Sequence, residues 1–204
     1  MVKYSREEMV AWAREVVRRE AEAIQALCDQ FDESLADVVE LLLNCRGHVL
    51  VAGMGTSHAM AQRFAHLLSC CGTPALCIDA GDSLHGGSGA ITAGDVLFII
   101  SKGGESEEVN TLADIAHARG AKVIAQTERP GSTLGRKSDA VFRVKASAGI
   151  DPYGMIATGS SLVNGAACDA LCVLLLELRG YSPQAFHMTH PGGAVGKMRI
   201  SDTM

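Results

Sequence analysis

The sequence has no cluster of basic residues. Its 204 residues include 18 lysines and arginines against 23 aspartates and glutamates, for a formal net charge of -5. Nucleic-acid-binding proteins usually carry a patch or stripe of positive charge, so we expect no nucleic-acid partner. Hydrophobic residues make up 48% of the chain and charged residues 20%. This composition favours a globular fold over a disordered chain.

The sequence also lacks an uninterrupted apolar run of the roughly 18 residues that a membrane span requires. Its most apolar stretch, from about Ser160 to Arg179, contains Asp169 and Glu177 and is predicted to be a buried helix. The N-terminus has no apolar core of signal-peptide length. We therefore expect a cytoplasmic protein with no membrane partner.

No two of the seven cysteines form a Cys-x-x-Cys pair. Their odd number and their spread through apolar runs predict buried thiols in a reducing compartment rather than a disulfide framework. Cys168 and Cys172 are four residues apart within one apolar helical pattern, which favours core packing over a metal site. We expect neither a metal nor a cofactor.

What the sequence does contain is an alternation of helical and strand patterns. Residues 1–46 are predicted to form N-terminal helices, with Ser5 and Glu8 in a capping-box pattern, and residues 47–204 are predicted to form the ligand-binding part of one compact domain. The predicted strands are 48–52, 75–78, 95–101, 122–126 and 140–144. Short strands separated by helices indicate an α/β fold with three layers, doubly wound around a mainly parallel sheet.

Two loops rich in glycine and hydroxyl groups follow predicted strands: the first loop, Gly53–Ser57, and the second loop, Ser101–Ser106. In open parallel sheets ligands bind beyond the carboxyl ends of the strands. Glycine lets the backbone approach a ligand closely, hydroxyls donate hydrogen bonds, and a helix N-terminus favours an anion. The loops therefore predict a phosphate cradle. The alternative is an ordinary turn in which Ser or Thr caps a helix.

Two nucleotide-binding motifs are incomplete in this sequence. Gly53-x-Gly55 begins a dinucleotide fingerprint and Asp79 ends the next strand, but His58 stands where the third glycine belongs. No Gly-Lys-Ser/Thr ending is present, which excludes a nucleoside triphosphate loop. A nicotinamide cofactor is therefore disfavoured.

The loops resemble those of the sugar isomerase (SIS) domain family, whose patterns are Gly-x-Gly-Thr/Lys-Ser and Ser-x-Ser-Gly-Glu-Ser/Thr. The segment His190–Lys197 resembles the signature of the arabinose-5-phosphate isomerase branch, and the resemblance extends to Leu84–Gly86 and to Pro152-x-Gly154. It implies a flavodoxin-like, five-stranded parallel sheet, a homodimer or homotetramer, and a phosphosugar ligand. Many members of this branch continue into a regulatory module of the cystathionine-β-synthase type. The sequence ends at Met204, where that module would begin, so we expect either a protein without the module or a piece of a longer chain.

The resemblance also implies roles for individual residues. We expect the phosphosugar to contact Gly55, Thr56, Ser57, Ser101, Lys102, Gly103 and Ser106. His190 is the best candidate for the base of an aldose–ketose isomerisation through an enediol, because an imidazole titrates near neutral pH. His85 matches a second active-site histidine, reaching the pocket from the same or a neighbouring subunit. Glu105 and Glu108 match acidic positions and are either acid/base groups or helix-cap carboxylates.

Three positions depart from the pattern of the branch. Thr56 replaces a lysine, Gly103 replaces a serine, and Gly149 stands where an acidic residue is expected. Lys102 is expected to compensate as a point charge beside the phosphate. Two functions therefore remain open: a metal-independent phosphosugar isomerase, and a phosphosugar-binding sensor without catalysis.

Overall fold

The computed structural model describes residues 4–193, so Ala194–Lys197 of the C-terminal motif lie outside the described residues. Five parallel strands form one sheet in the order β2-β1-β3-β4-β5. The strands are β1 (Val49–Gly53), β2 (Ala75–Cys77), β3 (Val96–Ile100), β4 (Lys122–Thr127) and β5 (Ala140–Arg143). The helices are α1 (Arg6–Gln25), α2 (Ser34–Leu43), α3 (Thr56–Cys70), α4 (Ala80–Ser83), α5 (Glu107–Ala118), α6 (Thr133–Lys137), α7 (Gly159–Arg179) and α8 (Pro183–Thr189). The predicted fold class is confirmed.

The sheet separates two hydrophobic cores. On one face, alternate strand residues such as Phe98 contact α1, α2, α3 and α7, and the rings of Phe98 and Phe64 meet edge to face at 4.9 Å. On the other face, Ile99 belongs to one buried cluster with Leu112 of α5 and Leu134 of α6. Every residue of β1 and β3 is buried, as expected of strands covered on both faces.

Helix α1 begins as the sequence predicts. The Glu8 N–H donates to Ser5 Oγ at 3.1 Å and the Ser5 N–H donates to Glu8 Oε2 at 2.7 Å, which completes the capping box. The helix ends at Gln25. Most of its apolar stripe lies at the surface, where Trp12 is 57% exposed.

Helix α7 is long and apolar enough, by length and composition alone, to match a membrane span. It has 21 residues, its most apolar window has a mean hydropathy of 1.7, and 39% of that window is buried inside the fold. Its bounds agree with the helix predicted from about Ser160 to Arg179 to within one residue. Leu171 and Leu175 join the core, and Asp169 forms two hydrogen bonds with Arg63 of α3. A core helix meets the same criteria, so they do not by themselves indicate a span.

The seven cysteines are all free. Cys168 and Cys172 are buried in α7, as predicted, and burial raises the pKa of the Cys168 thiol. Cys45, Cys70, Cys71 and Cys77 are only partly buried. Cys28 is exposed, so the prediction of burial is wrong there. The reason is local: Cys28 lies in a short 3₁₀ turn after α1 rather than on a helix face that packs against the core.

Candidate functional site

The first and second loops leave the sheet side by side. The strand order reverses between β1 and β3, and these two strands pair so that Gly53 lies opposite Ile100. Adjacent strands are about 4.8 Å apart, and ligands of open α/β sheets bind at such a reversal. The topology therefore brings the two glycine-rich loops to one place.

The first loop has the backbone shape of a close-approach turn. A Cβ atom on Gly53 would lie 2.8 Å from the Ser57 carbonyl group, and Gly55 has φ 56° with nothing within 4 Å of an added Cβ. Gly55 precedes α3 without a side-chain cap. Among residues 4–193, the hydroxyls of Thr56 and Ser57 have no hydrogen-bond partner. The ordinary capped turn is therefore not what this loop forms, and its hydroxyls can bind a ligand.

The second loop is held by its own side chains. Ser101 is buried, and its Oγ accepts a hydrogen bond from the Gly104 N–H at 3.2 Å. Asn110 Nδ2 donates to the carbonyls of Gly104, at 3.3 Å, and Ser106, at 2.9 Å. Ser106 precedes α5, but its side chain does not cap the helix. Within the described residues, neither α3 nor α5 has a side-chain cap for its first N–H groups, an arrangement that favours an anion.

The two carboxylates after β3 have different surroundings. Glu105 Oε1 accepts a hydrogen bond from the Thr133 N–H at 3.0 Å, and the hydrogen bonds from Thr133 lower the pKa of Glu105. Glu105 thus serves as a helix-cap carboxylate, although for α6 rather than α5. Glu108 lies half-buried in the first turn of α5 and has no hydrogen-bond or ion-pair partner within the described part of the chain. Glu108 is the carboxylate that is available to a ligand.

Lys102 forms an ion pair that links the second loop to the segment before α7. Its Nζ lies 2.9 Å from Asp151 Oδ2, while Asp151 Oδ1 accepts from the Ser160 N–H at 2.9 Å. Burial alone would raise the pKa of Asp151, but the hydrogen bonds from Ser160 and Lys102 outweigh it and hold the pKa below the usual aspartate value. Asp151 is therefore an ionised, buried anchor for Lys102.

A cavity of about 210 Å³ adjoins this ion pair. We call it the Asp151 cavity; it is lined by Lys102, Glu128, Lys145, Asp151, Gly154 and residues 146–150. These residues follow β3, β4 and β5, so the cavity lies at the same edge of the sheet as the two loops. It extends the site away from β1.

His190 lies far from the two loops of its own chain. Its Nε2 is 3.4 Å from the sulfur of Cys70, its Nδ1 is 3.0 Å from the Phe186 carbonyl oxygen, and its ring stacks on Phe186 at 3.8 Å. Cys70 ends α3 and Thr56 begins it, so this 15-residue helix separates them by roughly 20 Å. His190 therefore lies near the opposite edge of the sheet.

His85 makes no hydrogen bond or ion pair with the two loops among residues 4–193. It is exposed and follows α4, where its N–H donates to the Asp82 carbonyl at 3.0 Å. Its segment packs beside α5, on the opposite face of the sheet from α3. Within one chain the structure thus brings the loop hydroxyls, Glu108 and Lys102 to one edge of the sheet, places His190 away from them, and gives His85 no bond to them.

A family model for the SIS domain matches residues 42–174. The chain belongs to the SIS domain family. It spans about 60% of the length of the curated relatives that it matches.

Two of those SIS relatives are named arabinose 5-phosphate isomerases. KdsD of Yersinia pestis is 33% identical, and the match covers 94% of this chain and 59% of the relative. KpsF of Escherichia coli is 32% identical, and the match covers 96% of this chain and 61% of the relative. Among solved structures, a candidate sugar-phosphate isomerase from Listeria monocytogenes has a TM-score of 0.89 and 32% identity, covering 93% of this chain and 100% of that one. An Escherichia coli CFT073 protein, solved in complex with arabinose 5-phosphate, has a TM-score of 0.88 and 24% identity, covering 92% of this chain and 100% of that one.

Sequence analysis missed two residues that shape this SIS site. Asn110 is buried in α5 and supports the second loop, but a lone asparagine in a helical pattern carries no such signal. Asp151, which anchors Lys102, is the second. Its place directly before Pro152, near the start of a long helix, was the available clue. Its burial against Lys102 depends on a contact between residues 49 positions apart.

Proposed function

We propose that this chain is a phosphosugar aldose–ketose isomerase whose substrate is arabinose 5-phosphate. The observation that carries the proposal is the pair of uncapped helix N-termini, α3 and α5, that meet at one edge of the sheet with the free hydroxyls of Ser57 and Ser106. This arrangement fits a phosphate group. The curated relatives named arabinose 5-phosphate isomerases support the choice of sugar. The free thiols support the proposal of a cytoplasmic location.

The proposed chemistry is a proton transfer through an enediol, without a metal. The imidazole of His190 removes the proton from C2 and returns a proton to C1, while Glu108 moves a proton between the two oxygens. The phosphate is bound by the hydroxyls of the two loops, with the second loop held in shape by Ser101. The C2–H bond breaks and the C1–H bond forms, so no oxidant or reductant is needed.

We further propose that a second copy of the chain supplies His190. In its own chain His190 lies at the far end of α3 from the loops, so one subunit cannot assemble the complete site. Helix α1 offers an exposed apolar surface for self-association: Trp12 is 57% exposed and Val17 is 64% exposed. Surfaces of this kind mark interaction sites. A dimer or tetramer is therefore the proposed active form.

The direct test is to incubate the chain with arabinose 5-phosphate in deuterium oxide. We expect ribulose 5-phosphate to form and to carry deuterium on the carbon that receives the proton, because an enediol exchanges with solvent. Proton NMR measures both the product and the exchange. Absence of product from arabinose 5-phosphate and from a panel of other aldose phosphates would refute the isomerase.

A non-catalytic sensor is the second candidate, favoured by Thr56 and Gly149 in place of a lysine and an acidic residue. It predicts that arabinose 5-phosphate raises the melting temperature of the chain without being converted. Inorganic phosphate at the same concentration is the control. Equal stabilisation by both ligands would count against recognition of a sugar.

The two carboxylates after β3 offer a matched pair of variants. We expect Glu108→Gln to lower kcat by about 100-fold, because it removes a proton-transfer group, whereas Glu105→Gln should change kcat less than about threefold, since that side chain caps α6. Steady-state kinetics with arabinose 5-phosphate measures both. Equal losses in the two variants would reject the assignment of Glu108.

A further inference from the structure

We propose that the Asp151 cavity is the subsite for the sugar end of the ligand, that Lys102 binds the sugar oxygens there, and that Asp151 is the residue that positions Lys102. This inference rests on the proposed function, because it takes the phosphate to occupy the two loops. Sequence analysis predicts that Lys102 lies beside the phosphate, whereas this inference places it against the sugar oxygens.

The first argument is the contrast in burial across the ion pair. The Asp151 side chain is 3% exposed and the Lys102 side chain is 44% exposed. The carboxylate is fixed from behind by the Ser160 N–H, at the start of the 21-residue α7. A lysine ammonium has three N–H donors, and Asp151 is its sole hydrogen-bond partner among the described residues. Its other donors therefore face solvent at the cavity.

The second argument is the rigidity of the backbone beneath Lys102. Its carbonyl oxygen accepts hydrogen bonds from the Glu128 N–H and from Thr127 Oγ1, both at 3.1 Å. These bonds tie the second loop to the carboxyl end of β4. With its backbone held by β4 and its ammonium held by Asp151, Lys102 is fixed at both ends, and a preorganised donor binds a ligand at lower entropic cost.

The third argument is the position and charge of the cavity. It lies beyond the ends of β3, β4 and β5, whereas the first loop follows β1. Adjacent strands are about 4.8 Å apart. The cavity therefore lies one to two strand spacings from a phosphate that is bound between β1 and β3, which is a distance that the sugar of the same ligand can span. Two lysines and two carboxylates line it, Lys102 and Lys145 with Glu128 and Asp151. Such balanced charge suits a neutral polyol better than a second phosphate.

The test compares ligands with and without the sugar. Isothermal titration calorimetry of the full chain with arabinose 5-phosphate and with inorganic phosphate is performed on the unaltered chain and on Lys102→Met, Lys102→Arg and Asp151→Asn. Lys122→Met is the matched control, because Lys122 forms a similar ion pair with Asp139 at 2.7 Å but begins β4, at the opposite edge of the sheet.

We expect Lys102→Met to weaken arabinose 5-phosphate binding about tenfold through loss of a charge-assisted hydrogen bond, and to change the affinity for phosphate less than about twofold. Asp151→Asn should show the same selectivity, Lys102→Arg should recover part of the loss, and Lys122→Met should behave as the unaltered chain. A purely structural ion pair would not distinguish the two ligands.

Two results would overturn the inference: unchanged arabinose 5-phosphate affinity in Lys102→Met, or an equal loss for both ligands, which would make Lys102 a phosphate contact. Failure of the proposed function has a different signature. If the unaltered chain binds arabinose 5-phosphate without converting it, the proposed isomerase activity is refuted. The calorimetric comparison of the Lys102 and Asp151 variants then still tests the role of Lys102. An unaltered chain that binds neither ligand refutes both.

Discussion

The His190→Ala variant is expected to lower the rate of arabinose 5-phosphate isomerisation by about 10³-fold, because it removes the group that transfers the carbon-bound proton. Binding of the sugar should persist, because the two loops and the Asp151 cavity, which are proposed to hold the ligand, are unchanged in this variant. Steady-state kinetics and calorimetry on the same preparation measure the two effects separately.

The structure makes a sharper version of this experiment possible. If His190 completes the site of a second copy, then His190→Ala and Glu108→Gln damage opposite halves of each shared site. Co-expression of the two variants should give mixed dimers with one intact site, and about one quarter of the unaltered activity for random pairing in a two-fold dimer. Each variant expressed with itself is the control. No recovery in the mixture would mean that His190 does not act across subunits.

The second large effect concerns the second loop. We expect Gly104→Ala to lower the free energy of unfolding by about 2–4 kcal/mol, because alanine disfavours positive φ and overpacks a buried site. Gly104 has φ 68°, and an added Cβ would lie 2.1 Å from Ser132 Oγ. Ser132 has little freedom to move: it is buried, and its Oγ accepts the Gly135 N–H that caps α6. Urea denaturation measures the change.

Gly103→Ala is the matched control for this prediction. Gly103 is the neighbouring residue of the same loop, it lacks positive φ, and nothing lies within 4 Å of an added Cβ. The free energy of unfolding of the Gly103→Ala variant should differ from that of the unaltered chain by less than about 0.5 kcal/mol. Similar losses at both positions would contradict the tight packing described for Gly104 and would point to a general intolerance of side chains in this loop.

Much of the fold could be predicted from the sequence because its signals are local. The apolar strand Val96–Ile100 shows no polar alternation, as a strand covered on both faces requires. Gly180 ends α7 in the left-handed conformation that glycine favours. The short helices α4, α6 and α8 were not predicted, since elements of four to seven residues carry too little periodicity.

The candidate site was only partly predictable. That the first and second loops would meet followed from the parallel sheet alone, because carboxyl ends of parallel strands share one edge. Sequence could not decide whether Glu105 or Glu108 is free, since the answer depends on where α6 presents the Thr133 N–H. A hydrogen bond between residues 28 positions apart leaves no pattern in the chain.

The sequence by itself determined the parallel α/β architecture and the two hydroxyl-rich loops, because strand patterns, glycines and helix starts act over a few residues. Only the tertiary structure decided that Lys102 is held by Asp151 and that His190 lies at the far end of α3 from the loops. Both facts depend on how distant segments pack, and packing is set by the whole fold rather than by spacing along the chain.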